Sequence, residues 1–249
     1  MKIVQELYAY YNKKEKAIKK TVFHPAYAEI RHAVKRCKEN AYLAKGILLD
    51  LGCGTMPYKD IFNPKVERYI AFDYPVVQET LPDFEKPDVC GNSLYLPFVN
   101  DSFDTILCFS VIEHIPDPFQ MISEISRVMK KGAILILTGP GIACQVHGAP
   151  YDYVRLTEYG YSYLFEKCGL KIEKTYYCGY LLASMAKLFN TFIIKYPYKG
   201  RAYKKVFQII FLPLTFLLIA MVNLFAIVAD KIFMAKEYCP FYFFVARKE

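Results

Sequence analysis

The stretch ILLDLGCGT (residues 47–55) decides the fold class, because it reads as a buried strand that runs into a glycine-rich turn. Three further apolar runs share this character, with helical stretches between them: YIAFD (69–73), FDTILCFS (103–110) and AILILTGP (133–140). Continuous apolar strands separated by helices indicate a parallel sheet with helices on both faces. The sequence therefore predicts an α/β protein.

Two helices carry recognisable capping residues. Asp117 and Pro118 precede an apolar stripe that recurs every three or four residues over 117–131, and both residue types favour the start of a helix. Thr157 opens a second amphipathic stretch, 157–170, in the same way. Helices at these places fit the alternation with strands.

Composition and cysteine usage limit the class of protein. Of 249 residues, 54% are hydrophobic and 22% are charged, which excludes both a disordered chain and a wholly membrane-embedded one. The eight cysteines include no C-x-x-C pair, and the four histidines show no metal-ligand spacing. We therefore expect no disulfide framework and no metal site. The N-terminus lacks the apolar core of a secretory signal, so we expect the protein on the cytoplasmic side.

The glycine turn and the strand after it suggest a nucleoside ligand. Asp50 lies just before glycines 52 and 54, which let the backbone turn tightly and approach a ligand. Asp73 ends the next apolar strand, where a carboxylate can accept hydrogen bonds from both hydroxyls of a ribose. A dinucleotide fingerprint fails, because Pro57 takes the place of its third glycine. Asp73 alone could be a solvated strand end, but together with the turn it predicts an adenosine site.

Residues 46–179 resemble the class I S-adenosylmethionine-dependent methyltransferases, particularly the small-molecule branch. The most specific part of the resemblance is the continuous stretch 89–140, from VCGNSLYLPF to AILILTGP. It implies a Rossmann-like seven-stranded sheet, S-adenosyl-L-methionine as the cofactor and methyl transfer as the activity. The cofactor-binding residues that it implies are Asp50, Gly52 and Gly54 at the methionine part, Asp73 at the ribose, and Asn92 and Ser93 at the adenine.

Three residues depart from the family pattern. Asn92 stands where an acidic residue usually meets the adenine amino group, although its carbonyl oxygen can still accept a hydrogen bond. Met56 and Pro57 follow the turn where a further glycine is common. These departures leave open an alternative function, a non-catalytic methyltransferase-like protein that is bound to membranes and acts in interactions.

The loop after strand 103–110 argues against one substrate class. It reads Ser-Val-Ile-Glu-His (110–114), whereas amino methyltransferases of nucleic-acid bases carry an Asn/Asp-Pro-Pro-aromatic motif there. Base methylation is therefore disfavoured. The pair Glu113-His114 is common in the small-molecule branch, near the reactive end of the cofactor. His114 is thus a catalytic candidate, or alternatively only orients its loop.

The segment HGAPYDYVR (147–155) resembles an H-x-x-P-x-D-Y-x-R signature of related enzymes that often act on glycans or lipid-linked sugars. A loop at the carboxyl end of a parallel strand faces the ligand crevice, so Tyr151, Tyr153 and Arg155 are candidates to bind the acceptor. The alternative is that an ion pair of Asp152 with Arg155 pins the loop. His147 is the preferred base, because histidine titrates near neutrality.

A basic arm precedes the sheet. Residues 1–46 hold 11 Lys/Arg against 4 Asp/Glu, so most of the net charge of +8 lies there. Apolar residues spaced three or four apart predict one or two helices over 1–45. A lysine-rich run is usually a solvated face, and anionic lipid explains it as well as nucleic acid does. We expect no nucleic-acid partner.

Two hydrophobic stretches, 181–194 and 207–229, interrupt the alternation. The second has no charge in 23 residues and is long enough to span a bilayer. In the family fold, strand 241–248 must return to the same sheet, so a single crossing would leave it on the wrong side. We expect peripheral or monotopic attachment, with burial of the stretch in a homodimer as the alternative. The basic residues expected to contact anionic headgroups are Lys199, Arg201, Lys204 and Lys205.

Four segments are therefore predicted. They are a basic helical arm (1–45), an S-adenosylmethionine-binding core (46–180), a hydrophobic membrane-associated insertion (181–236) and the final strand of the core sheet (237–249). The predicted function is methyl transfer to a small or amphiphilic acceptor, a lipid or lipid-linked saccharide, at a membrane surface.

Overall fold

The computed structural model describes residues 21–75, 86–195 and 202–249, without the side chains of 29, 195 and 202–212. The chain divides into two compact units. In the described ranges, the sheet unit comprises 33–75, 86–177 and 241–249, and the helical unit comprises 21–32, 178–195 and 202–240.

The strands, in chain order, are β1 (Ile47–Leu51), β2 (Arg68–Asp73), β3 (Val89–Cys90), β4 (Phe103–Phe109), β5 (Met129–Pro140), β6 (Leu170–Tyr177) and β7 (Phe241–Lys248). The helices are α1 (Tyr27–Asn40), α2 (Lys59–Phe62), α3 (Pro118–Val128), α4 (Glu158–Lys167), α5 (Leu181–Lys195) and α6 (Ala202–Ile232). Short 3-10 helices occupy Ala41–Leu43, Asn63–Lys65, Ile112–His114 and Lys236–Tyr238.

All seven strands form one sheet in the order β3-β2-β1-β4-β5-β7-β6. Strands β1 to β5 pair in parallel, and β7 runs antiparallel between β5 and β6. The strand order reverses between β1 and β4, and in such sheets the ligand crevice lies at the carboxyl ends of the strands beside that point. The predicted seven-stranded α/β fold is confirmed.

The sheet core consists of the apolar runs that mark the strands in the sequence. The side chains of Leu48, Leu49, Ile106 and Leu107 are completely buried, as expected where helices cover both faces of a parallel sheet. The central strands therefore hold the glycine turn and the loops after β4 and β5 on a rigid base.

Helix α3 is shorter than predicted. Asp117 caps it by accepting a hydrogen bond from the Gln120 amide at 2.9 Å, but the helix ends at Val128, and β5 starts at Met129. Lys130, which the apolar stripe assigned to the helix, instead pairs with Asp104 of β4 at 2.8 Å. Residues 129–131 belong to β5 instead. Strand pairing involves distant residues, which a local sequence pattern does not reveal.

The helical unit is organised by polar side chains buried between helices. Asn190 of α5 donates to Asn223 of α6 at 3.2 Å, and Asp230 of α6 accepts hydrogen bonds from the amides of Leu182 and Ala183 at the start of α5. Contacts 182 to 230 and 190 to 223 mean that the two helices are antiparallel. The stretches 181–194 and 207–229 thus belong to one helical hairpin.

The predicted basic arm does not form one segment. Its described part up to His32 belongs to the helical unit, and its remainder belongs to the sheet unit. Residues 1–20 lie outside the described residues, as do Lys199 and Arg201, and the side chains of Lys204 and Lys205 are likewise not described. The units divide at 177/178 and 240/241, close to the predicted limits of the insertion at 181 and 236.

Candidate active site

The glycine turn after β1 is tied to the end of β2. The amides of Gly52 and Cys53 donate to the Phe72 carbonyl at 2.8 and 3.1 Å. The Gly54 amide donates to Oδ2 of Asp73 at 2.7 Å. The two elements that the sequence assigned to one ligand therefore meet at the carboxyl edge of the sheet.

Both glycines of the turn have positive φ, +72° at Gly52 and +49° at Gly54, a conformation that side chains disfavour. A Cβ on Gly52 would overlap Val111, whereas a Cβ on Gly54 would meet nothing within 4 Å. Gly52 is thus required by packing, and Gly54 borders open space that a ligand could occupy.

Asp73 is half-buried, and each of its carboxylate oxygens accepts one backbone hydrogen bond. Oδ2 binds the Gly54 amide, and Oδ1 accepts from the Tyr74 amide at 2.7 Å. Each oxygen keeps a second lone pair, so the carboxylate can still accept from two ribose hydroxyls. Its geometry fits the predicted cofactor.

Asp50 is buried at 4% exposure and accepts a hydrogen bond from the Tyr69 hydroxyl. Burial raises the pKa of Asp50 to about 6; the Tyr69 bond opposes this, and the charge of Asp73 adds to it. The site therefore brings two acidic side chains together, Asp50 and Asp73. A negatively charged site suits the positive charges of S-adenosylmethionine, its sulfonium and its ammonium.

The adenine-binding candidates follow β3. Asn92 is exposed, and its side-chain oxygen accepts from the Leu94 amide at 2.9 Å, while Ser93 is buried. The oxygen expected to serve the adenine is therefore already engaged with the backbone and has one lone pair left.

The loops after β4 and β5 bring three titratable side chains together. Glu113 is completely buried, and Nε2 of His147 lies 3.5 Å from its Oε1. The rings of His114 and His147 meet edge to face with centroids 5.2 Å apart. Gly148 permits this approach, because a Cβ there would lie 2.9 Å from Cε1 of His114. The two predicted catalytic histidines thus share one site.

His147 is strongly perturbed. Its interactions with Cys144 and with the Glu113 carboxylate, 3.5 Å from Nε2, raise the pKa of His147 to about 10, so the ring keeps its proton at neutral pH in this arrangement. A general base must be free to accept a proton. The assignment of His147 as the base stays a prediction, and the raised pKa argues against it at neutral pH.

Arg155 pins the loop after β5. It binds Asp152 with both terminal nitrogens, at 2.5 and 2.8 Å, and donates to the carbonyls of Cys144, Gln145 and Val154. These bonds engage all five of its N–H groups. The structure therefore contains the Asp152–Arg155 ion pair that the sequence offered as an alternative. Arg155 has no N–H group left to bind the methyl acceptor.

The tyrosines of the same loop remain available to a ligand. The side chains of Tyr151 and Tyr153 are exposed, at 66% and 50%, while their backbones hold the site. The Tyr151 carbonyl contacts Nδ1 of His114 at 2.6 Å, and the Tyr153 amide donates to the Glu113 carbonyl at 2.7 Å.

Sequence reasoning missed two features of this site. Glu113 was noted only as a neighbour of His114, although its buried carboxylate groups with both histidines. Ser110, directly after β4, adopts φ of +54°, a strained conformation that clusters at functional sites. No metal-ligand spacing was visible because the two histidines lie 33 positions apart in sequence; the loops bring them together.

Comparison with known proteins gives a consistent picture. Residues 49–137 match the family model described as a methyltransferase domain. A protein of Mycolicibacterium smegmatis, named as a probable S-adenosylmethionine-dependent methyltransferase, is 28% identical over 136 residues, covering 51% of this chain and 53% of that protein. A demethylmenaquinone methyltransferase of Lactiplantibacillus plantarum is 29% identical over 119 residues, covering 43% and 50%. The chain spans about half the length of these two curated relatives.

Solved structures share the fold. A SAM-dependent methyltransferase from Archaeoglobus fulgidus, where SAM is S-adenosylmethionine, has a TM-score of 0.53 at 16% identity. The similarity covers 89% of this chain and 94% of that one. At this identity the likeness concerns the fold alone.

Proposed function

Since the chain belongs, through residues 49–137, to the class I S-adenosylmethionine-dependent methyltransferases, we propose that it methylates a small or amphiphilic acceptor at a membrane surface. The observation that carries the methyl-transfer part is the tie between the glycine turn and Asp73, beside the buried Asp50. The predicted family and cofactor are confirmed; the acceptor class and the membrane are the proposal.

The residues of the turn would hold the cofactor. Asp73 would accept the ribose hydroxyls, Gly54 would let the ligand approach the backbone, and Asp50 would supply negative charge near the methionine part. When bound, S-adenosylmethionine supplies an electrophilic methyl group on a sulfonium. The protein then mainly aligns the acceptor for in-line displacement, since correct orientation removes much of the barrier.

The acceptor side supports a small or amphiphilic molecule. Tyr151 and Tyr153 present exposed aromatic rings on the loop that carries His147, and aromatic rings with a hydroxyl suit ligands that are part apolar and part polar. One relative is named for the small molecule demethylmenaquinone. The HGAPYDYVR signature favours a lipid-linked saccharide.

The helical hairpin supports action at a membrane. One face of α6 presents a stripe of exposed apolar side chains, and α5 adds others. Those on α6 are Leu214, Leu217, Leu218, Met221, Leu224, Phe225, Val228 and Ile232. By length and composition, Pro213–Ile232 is the one helix among the described residues that could cross a membrane. An apolar stripe of this size in contact with water indicates a lipid or protein partner.

Chain connectivity argues against a single crossing of the membrane, and α5, with 15 residues that include Lys187, is short for a second crossing. The hairpin segment leaves the sheet after Tyr177 and returns at Phe241, and Tyr177 pairs with Tyr242. Both ends of the segment therefore lie on the same side of any membrane. We propose monotopic attachment on the cytoplasmic side, with the apolar stripe in the interface and basic residues against anionic headgroups.

Activity screening tests the acceptor. The purified chain is incubated with methyl-labelled S-adenosylmethionine and with lipid, glycan and RNA extracts. We expect label in the lipid or glycan fraction, and none with a variant Asp73→Ala whose thermal unfolding is unchanged. Cofactor binding without transfer to any fraction would instead favour the non-catalytic interaction protein, for which the engaged oxygen of Asn92 is the supporting observation.

Flotation with vesicles tests the membrane. We expect the chain to float with anionic vesicles and to bind no RNA. The alternative is a homodimer that covers the apolar stripe. A chain that is dimeric in lipid-free buffer and does not float with vesicles would support this alternative and contradict the membrane proposal.

A further inference from the structure

The Glu113 side chain lacks a neutralising partner at hydrogen-bond distance. It is completely buried, and neither carboxylate oxygen has a hydrogen-bond partner in the described part of the chain. Among the described residues, His147 lies 3.5 Å away and is 41% exposed, and Arg155 interacts with Glu113 only at longer range. A buried carboxylate is costly unless a proton or a cation neutralises it, so this position calls for a positive charge.

The two histidines beside Glu113 are oriented in the way that metal ligands are. Nδ1 of His114 contacts the Tyr151 carbonyl at 2.6 Å, and Nδ1 of His147 contacts the Gln145 carbonyl at 3.1 Å. A carbonyl only accepts, so each Nδ1 carries a proton and Nε2 is the atom left to bind a metal. A metal ion would displace the proton that the His147 ring otherwise holds at Nε2. Histidines that bind metals commonly donate their other N–H to a backbone carbonyl in this way.

The spacing of these groups suits one ion. One ligand atom from each of Glu113, His114 and His147 lies within 4.8 Å of the others. Ligands about 2.0–2.2 Å from a zinc ion stand roughly 3.3–3.5 Å apart in tetrahedral geometry, so a small rotation of the exposed His147 ring would close the site.

We propose that Glu113, His114 and His147 bind a divalent transition-metal ion of the zinc type. Two imidazoles and one carboxylate favour such an ion, whereas magnesium and calcium prefer oxygen ligands only. Three protein ligands leave at least one coordination position open, as catalytic metal sites do. On the basis of the proposed function, that position is where a hydroxyl oxygen of the acceptor would bind.

The test measures metal binding by the chain of 249 residues. After chelation and dialysis, Zn²⁺ content and affinity are measured by elemental analysis and equilibrium dialysis at neutral pH. We expect about one tightly bound Zn²⁺ per chain and at least a tenfold loss of affinity in His147→Gln and in Glu113→Gln. His32→Gln, in the helical unit, serves as the matched histidine control and should bind as wild type does.

A Co²⁺ spectrum identifies the ligands. We expect nitrogen and oxygen coordination without a sulfur-to-cobalt charge-transfer band, which distinguishes the site from binding by the nearby Cys144. Zn²⁺ should also raise the thermal stability of wild type and not that of His147→Gln, because a ligand of the folded state stabilises it by mass action.

Two results would overturn the metal site: wild type that binds no more Zn²⁺ than His147→Gln, or a cobalt spectrum with sulfur ligands. S-adenosylhomocysteine binding is measured on the same samples. If wild type binds S-adenosylhomocysteine but no metal, only this inference falls, and Glu113 is then neutralised by protonated His147. If metal binds and cofactor does not, the proposed function falls instead.

Discussion

Asp50 and Asp73 show how the site accepts a cost in stability. Asp50 is buried beside a second carboxylate, and its pKa of about 6 records how unfavourable its charge is in the folded chain. A pKa that burial and a neighbouring charge have shifted in this way is typical of binding sites. A positively charged ligand would relieve it, which links the electrostatics of the site to the cofactor.

Asp50→Asn should stabilise the ligand-free protein at neutral pH. The folded-state pKa of Asp50 is raised from 3.8 to about 6, so its stabilising effect is full below the unfolded pKa and is lost as pH rises through about 6. The shift corresponds to about 2–3 kcal/mol. Between pH 4 and 7, the free energy of unfolding measured in urea should fall more in wild type than in Asp50→Asn. The exposed Glu67→Gln is the control, and parallel curves for all three proteins would contradict the burial argument.

The two glycines of the turn should differ in their tolerance of alanine. Gly52→Ala imposes a left-handed conformation and a clash with Val111, together about 2–4 kcal/mol. Gly54→Ala meets no neighbour and should cost only about 1 kcal/mol for its conformation. Denaturant unfolding measures both free energies. Equal losses would mean that packing against Val111 does not constrain the turn.

At the scale of elements, α6 combines two opposite faces. Asn223 is completely buried and donates to the carbonyls of Val22 and His24 at 2.7 and 2.9 Å. Its neighbour Leu224 is 51% exposed. One residue therefore holds the helical unit together, and the next is free to contact a partner.

Asn223→Ala should lower the free energy of unfolding by about 1–3 kcal/mol, because it leaves the partly buried carbonyls of Val22 and His24 without this donor. Leu224→Ser should change stability by less than about 0.5 kcal/mol but weaken vesicle flotation. Both variants are compared by urea unfolding without lipid and by flotation with it. A Leu224→Ser protein that unfolds early and floats normally would reverse the assignment of the two faces.

At the scale of the whole chain, strand β7 decides the topology. It lies between β5 and β6 and pairs with both, so the hairpin segment must return to the side from which it left. Tags at the N- and C-termini should therefore be accessible from the same face of sealed vesicles. Protease protection measures this, and tags on opposite faces would contradict both the attachment and the pairing of β7.

The sequence predicted the sheet well, because strands buried on both faces appear as continuous apolar runs. The run 69–73 lies within β2, and 241–248 coincides with β7. Features that depend on distant residues were not predictable from local patterns. The end of α3 at Val128, the Asn190–Asn223 bond and the cluster at Glu113 each arise from contacts made only after folding.

The central claim, a cofactor site built on the glycine turn and Asp73, is tested most directly by calorimetric titration with S-adenosylhomocysteine. Wild type should bind one molecule per chain. Asp73→Ala should bind at least tenfold more weakly, because charge-assisted hydrogen bonds contribute about 1.5–3 kcal/mol, while Glu67→Gln should match wild type. Asp73→Asn, which keeps an oxygen for the Gly54 amide, separates loss of charge from damage to the turn. Absence of binding to wild type, or equal affinity in Asp73→Ala, would contradict the account.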